Sequence, residues 1–112
     1  MTKLEIIEQK TYQKAIKKLS KKYPHIKQDV LKYIKNITSI DELGIELKKN
    51  IFKTRIKNSD KNKGKSTRYR LISYLYKKED ELHLLFIYDK STLTNITESE
   101  LDNILLKQLK DL

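Results

Sequence analysis

RYRLISYLYKKEDELHLLFIY, residues Arg68 to Tyr88, holds two apolar runs rich in aromatic and branched side chains around a polar middle. Such side chains favour extended backbone, so Arg68–Tyr76 and Leu82–Tyr88 are predicted strands, and the polar Lys77–Glu81 segment is the turn of a β-hairpin. The second run is apolar at both parities. That places it in the interior of a sheet, with helices covering one side.

Upstream, Ile51 to Lys57 alternates, with Phe52, Thr54 and Ile56 on one side and Lys53, Arg55 and Lys57 on the other. A period of two predicts a strand with a basic row along one face. Further back, Tyr12, Ala15, Ile16, Leu19 and Tyr23 follow helical spacing between about Gln9 and Lys22, with lysines on the opposite face. Pro24 fits the first turn of a new helix, where Ile26, Val30, Tyr33, Ile34 and Ile37 repeat the stripe. The two helices are predicted to form an antiparallel hairpin. Leu4–Glu8 (LEIIE) suits a strand laid against the core, and Thr38–Asn50, which includes Gly44 and has no single period, reads as a connection with a turn of helix or a brief extended piece. Downstream, Thr97 and Glu100 form a capping box ahead of Leu101, Ile104, Leu105, Leu109 and Leu112, which predicts a last amphipathic helix. The expected fold is α+β in the order β-α-α-β-β-β-α: a small antiparallel sheet packed against an N-terminal helical hairpin, with a C-terminal helix. At 112 residues it is expected to be one domain, 1–112.

Charge is concentrated between Lys48 and Arg70. Lys48, Lys49, Lys53, Arg55, Lys57, Lys61, Lys63, Lys65, Arg68 and Arg70 face the single acid Asp60, a net +9 of the chain's +10. All three arginines of the chain lie here, in a sequence otherwise content with lysine. Arginine offers a planar, permanently charged fork suited to phosphate, so the expected ligand is a polyanion. The absence of cysteine removes disulfide, thiolate and Cys-type zinc chemistry and fits a reducing compartment. The charged N-terminus lacks a signal-peptide core, and no apolar run approaches the roughly 20 residues that span a bilayer. The expectation is a soluble cytoplasmic protein.

Histidine catalysis finds little support: His25 starts the second predicted helix, His83 lies inside a strand, and neither has an evident partner in the sequence. The acids are scattered, so no metal site is expected, and Glu98 and Glu100 are accounted for by the start of the last helix. Lys63-Gly64-Lys65-Ser66 lacks the upstream glycine of a nucleotide-binding loop, and no cofactor is expected. What remains is a cluster of cations and tyrosines. A basic strand row, a basic loop and two arginines entering the next strand can hold a phosphodiester and stabilise the charge that develops as it breaks. RNA suits this better than DNA, because its 2′-hydroxyl supplies the nucleophile. Plain RNA binding without catalysis stands beside this reading, since a charge run is usually a solvated face. Tyr69, Tyr74, Tyr76 and Tyr88 can stack on bases or complete the core, and spacing does not choose between them.

The series Gly44-x-x-Leu47, NIFKTRI at Asn50–Ile56, GKS at Gly64–Ser66, YRLI at Tyr69–Ile72 and LLFIYDKS at Leu84–Ser91 resembles the RelE/ParE superfamily of toxin–antitoxin toxins, in particular its HigB-like branch. The resemblance implies a type II toxin, a ribosome-dependent mRNA endoribonuclease that cuts in the ribosomal A site and is held inactive by a cognate antitoxin protein. By the same resemblance Lys53 and Arg55 match the basic strand positions, Lys65 the GKS loop, Arg70 the arginine that follows it, and Tyr88 and Lys90 the Tyr-x-Lys-Ser segment. It implies catalytic roles for Lys53, Arg55, Arg70, Tyr88 and Lys90: Arg55 and Arg70 as the phosphate clamp, Lys53, Lys65 and Lys90 orienting the backbone, and Tyr88 as a candidate for proton transfer. Lys48, Lys49, Lys57, Lys61, Lys63, Lys65 and Arg68 are the expected RNA-binding residues. One departure stands out: where the family commonly has GKSGG, this chain has Thr67 and Arg68 after Ser66. The superfamily also includes ParE-type gyrase inhibitors on the same fold, so that activity and a non-catalytic RNA- or ribosome-binding module remain alternatives.

Overall fold

The alternation at Ile51 and the hairpin downstream become three adjacent strands of one sheet. In a computed structural model, which describes residues 3–61 and 68–109, the chain forms strand β1 (Glu5–Glu8), helices α1 (Lys10–Ser20) and α2 (Ile26–Lys35), strands β2 (Ile45–Lys48), β3 (Ile51–Ile56), β4 (Tyr69–Tyr76) and β5 (Glu81–Tyr88), and helix α3 (Glu98–Gln108). The α+β class is as expected. Strand order is β1-β5-β4-β3-β2.

Two features of the sheet differ from expectation. It is mixed rather than antiparallel, because β1 pairs parallel to β5, with Ile6 opposite Leu82 and Glu8 opposite Leu84. A short apolar run such as LEIIE carries no signal of direction; it covers the free edge of β5 and packs Ile6 against the core. The connection before β3 holds both a 3-10 turn at Ile40–Leu43 and a brief extended piece. The latter, β2, adds a strand to the expected order and pairs antiparallel with β3 through a register shift between Glu46 and Lys48. It is entered through Gly44 at φ 99°, and a Cβ there would lie 2.0 Å from the Lys53 carbonyl oxygen, so only glycine lets the chain approach β3 this closely.

Helices cover both faces rather than one. On the first face Tyr12, Ile16, Ile26 and Val30 of α1 and α2 pack with Phe52, Ile56, Leu71 and Leu84. On the second, Leu101 and Leu105 of α3 pack with Ile51, Ile72, Leu85 and Tyr88. Two cores explain why β5 is apolar at both parities. A register shift against β4 between Ile72 and Ser73 reverses the alternation after Leu85, so that Leu84 and Ile87 serve the first core while Leu85 and Tyr88 serve the second. The capping box of α3 forms as expected: the Thr97 side chain accepts from the Glu100 N–H, and the Glu100 carboxylate accepts from the Thr97 N–H. The helix is rotated from its predicted stripe, however, leaving Ile104 exposed and Asp102 buried. Among the described residues no helix is long and apolar enough to cross a membrane.

Candidate nucleic-acid interface

The parity of β3 decides where its cations go. Phe52 and Ile56 enter the first core, so Lys53 and Arg55 must face α3. Pairing then extends the row: Arg55 lies opposite Arg70 of β4, and Arg70 opposite Tyr88 of β5. Three strands therefore deliver Lys53, Arg55, Arg70 and Tyr88 to one face. Like charges placed directly opposite in a sheet repel, so Arg55 and Arg70 need an anion between them.

Helix α3 supplies it. Lys53 Nζ donates to Glu98 Oε2 at 2.7 Å and to Asp102 Oδ2 at 2.6 Å. Arg70 Nε lies 3.3 Å from Glu98 Oε1, and Arg55 Nη2 lies 3.6 Å from Glu98 Oε2. The Tyr88 hydroxyl donates to Asp102 Oδ1 at 2.7 Å. Arg70 is buried; its Nη1 donates to the Arg68 carbonyl at 2.6 Å, while its Nε has no hydrogen-bond partner despite the nearby carboxylate. Glu98 therefore compensates the charge of Arg70 without filling its fork.

Protonation follows from these contacts. Burial by itself would raise the pKa of the Glu98 carboxyl, but the Lys53 hydrogen bond and the charges of Arg70, Lys53 and Arg55 outweigh it and hold it below the usual value. Burial, reinforced by the Asp102 carboxylate, pushes the Tyr88 phenol far above its ordinary value. At neutral pH Tyr88 is thus a neutral hydrogen-bond donor and a poor base, and it is fully buried behind α3.

The remaining expected residues lie outside this set of ion pairs. Lys90 is exposed at the start of a short 3-10 turn after β5. Lys48, Lys49, Lys57, Lys61 and Arg68 are exposed, Lys61 with its ammonium 5.3 Å from the centre of the Tyr23 ring. Lys63 and Lys65, with the GKS segment and Thr67, lie outside the described residues. Both histidines, expected to be without partners, have them: His25 Nδ1 lies 2.6 Å from Asp60 Oδ1, and His83 Nε2 lies 2.9 Å from Glu81 Oε1. The first ties the start of α2 to the chain after β3, and the second stays within β5.

Glu98 and Asp102 are the site residues that sequence reasoning missed. In the sequence, the place of Glu98 in the first turn of a helix accounts for it without any partner. The available signal was Asp102, an acid between Leu101 and Leu105 on the buried stripe and one helical turn after Glu98, a position where a charge needs a partner. Comparison with protein-family models and with curated proteins gives no match to this chain.

Proposed function

We propose that this chain is a RelE/ParE-like toxin of the HigB-like branch, a ribosome-dependent mRNA endoribonuclease restrained by an antitoxin. The observation that carries the reading is the convergence of Lys53, Arg55 and Arg70 from two strands beside Tyr88 of a third. In cleavage the 2′-hydroxyl loses its proton and attacks the adjacent phosphorus, the bond to the 5′-oxygen breaks, and that oxygen takes up a proton. Negative charge grows on the phosphate oxygens, and the Arg55 and Arg70 guanidiniums would stabilise it with Lys53 beside them. Lys90 and the exposed lysines would hold the flanking backbone.

A partner protein has its own support. A groove of about 570 Å³ lies between α1 and the chain after β5, with Ala15, Leu19 and Phe86 on its floor and Lys14, Lys18 and Lys22 along its rim. An apolar floor with a cationic rim suits an acidic amphipathic segment of the antitoxin.

Induction of the protein in cells, with mRNA 5′ ends mapped by primer extension and gyrase supercoiling assayed in parallel, tests the proposal. New 5′ ends within translated messages are expected. Lost supercoiling with intact messages would replace it by gyrase inhibition, and the absence of both effects by an RNA-binding module without catalysis.

A further inference from the structure

The cation cluster that the proposed activity needs is occupied by the protein's own carboxylates. Lys53 spends two hydrogen bonds on Glu98 and Asp102, and Glu98 also stands beside Arg55 and Arg70. A phosphodiester could reach the Arg55 side chain, 45% exposed, but could not use Lys53 or the buried Arg70 while α3 lies in place. Nor could it approach Tyr88, which is buried with its hydroxyl on Asp102.

We propose that α3 is an internal competing anion: Glu98 and Asp102 close Lys53 and Arg70 behind the exposed Arg55, and a polyanion engages all three cations only when α3 leaves the sheet. This rests on the assignment of that cluster as the phosphate site, and it concerns the control of that site.

Three observations support a reversible closure over a permanent structural ion network. The first is the imperfect fit at Arg70, a buried guanidinium whose Nε is left without a hydrogen bond although Glu98 is 3.3 Å away. A buried donor left unfilled is costly, and a better-shaped anion gains from it. The second is the cross-strand pair Arg55–Arg70, which repels when no anion is present. The cluster thus needs an anion in either state, a carboxylate when closed or a phosphate when open, so ligand binding and helix release are coupled. The third is the limited apolar hold on α3: Leu101 and Leu105 are buried against the sheet, Leu106 and Leu109 are only partly buried, and Ile104 is exposed.

A helix closed in all but about a tenth of the molecules weakens apparent affinity about tenfold. The test uses the full chain and a short fluorescein-labelled single-stranded oligoribonucleotide at fixed salt, with binding read by anisotropy. The variant Glu98→Gln/Asp102→Asn opens the site, and Asp41→Asn/Glu79→Gln, at exposed positions away from it, changes net charge equally. We expect the first to bind about tenfold tighter than the second. Equal affinity in the two would overturn the proposal. Because Lys53 would lose both charged partners, the first variant could fail to fold, so a second measurement is made on the wild type. Amide exchange across Glu98–Gln108 should accelerate on adding saturating oligoribonucleotide while β3–β5 stay protected; α3 amides that slow or stay unchanged would equally overturn closure. Cleavage is scored separately. RNA that binds, releases α3 and stays intact on ribosomes would refute the nuclease and keep the closure, whereas cleavage with α3 still protected would do the reverse.

Discussion

Arg70 is a cation that the fold has taken out of water and only partly satisfied, with one nitrogen on the Arg68 carbonyl and its Nε unfilled beside Glu98. If it stabilises the charge of the breaking phosphodiester, Arg70→Ala should lower the single-turnover cleavage rate by roughly 10² or more. Arg70→Lys should restore only part, because an ammonium keeps the charge and loses the fork. A variant that loses affinity alone, with the rate at saturation unchanged, would make Arg70 a binding charge. A second residue-scale prediction concerns His25, whose Nδ1 and backbone N–H both meet the Asp60 carboxylate. The Asp60 hydrogen bond and charge raise the His25 pKa, and His25 lowers that of Asp60. The His25 contribution to stability is therefore full below its unfolded pKa and fades as pH rises through the raised folded value. The Asp60 contribution is full above its own unfolded pKa and fades as pH falls through the depressed one. Imidazole titration by NMR should find His25 above about 6.5, and Asp60→Asn should return it toward that figure. An unmoved His25 would show that Asp60 is not the cause.

At the scale of elements, the entry to β2 and the cap of α3 set the site's two sides. Gly44 presses against the Lys53 backbone at positive φ, so Gly44→Ala forces either strain or retreat of β2 and should cost more than about 2 kcal/mol. Urea denaturation measures this, and an unchanged midpoint would mean that β2 shifts freely. Thr97→Ala removes one half of the capping box and should destabilise α3 by about 1 kcal/mol, seen as faster amide exchange confined to that helix. What was legible follows from periodicity. The alternation of β3 placed Lys53 and Arg55 on one face and Phe52 and Ile56 on the other, because a period of two leaves no choice once one face is apolar. The capping box was legible because it is a local hydrogen-bond pattern. The parallel direction of β1 and the pairing of β2 were not, since both depend on which strand edge is free after the rest has assembled. The rotation of α3 was hidden for a related reason. Ile104 suits an apolar stripe better than Asp102 does, and the half-buried Lys53 and buried Tyr88, which both donate to Asp102, reverse that preference.

The whole molecule divides its charge by direction. Of the described cations between Lys48 and Arg70, the fold turns Lys53 and Arg70 inward onto carboxylates, leaves Arg55 exposed at the edge of that cluster, and leaves Lys48, Lys49, Lys57, Lys61 and Arg68 outward. Inward charges meet fixed partners and act at short range, whereas outward charges hold mobile counterions that a bound polyanion releases. Affinity and chemistry should therefore separate by mutation. Lys61→Ala should flatten the slope of log K against log salt for a single-stranded oligoribonucleotide by about 0.7, the release of one counterion. Its single-turnover cleavage at saturation should fall far less than that of Arg70→Ala. Lys61 also stands over the Tyr23 ring, and losing that contact should lower stability by no more than about 1 kcal/mol, so the folded state survives the test. Salt titration of both variants decides the matter: a slope unchanged in Lys61→Ala but flattened in Arg70→Ala would mean that the buried cluster, and not the outer lysines, makes the long-range contact with RNA.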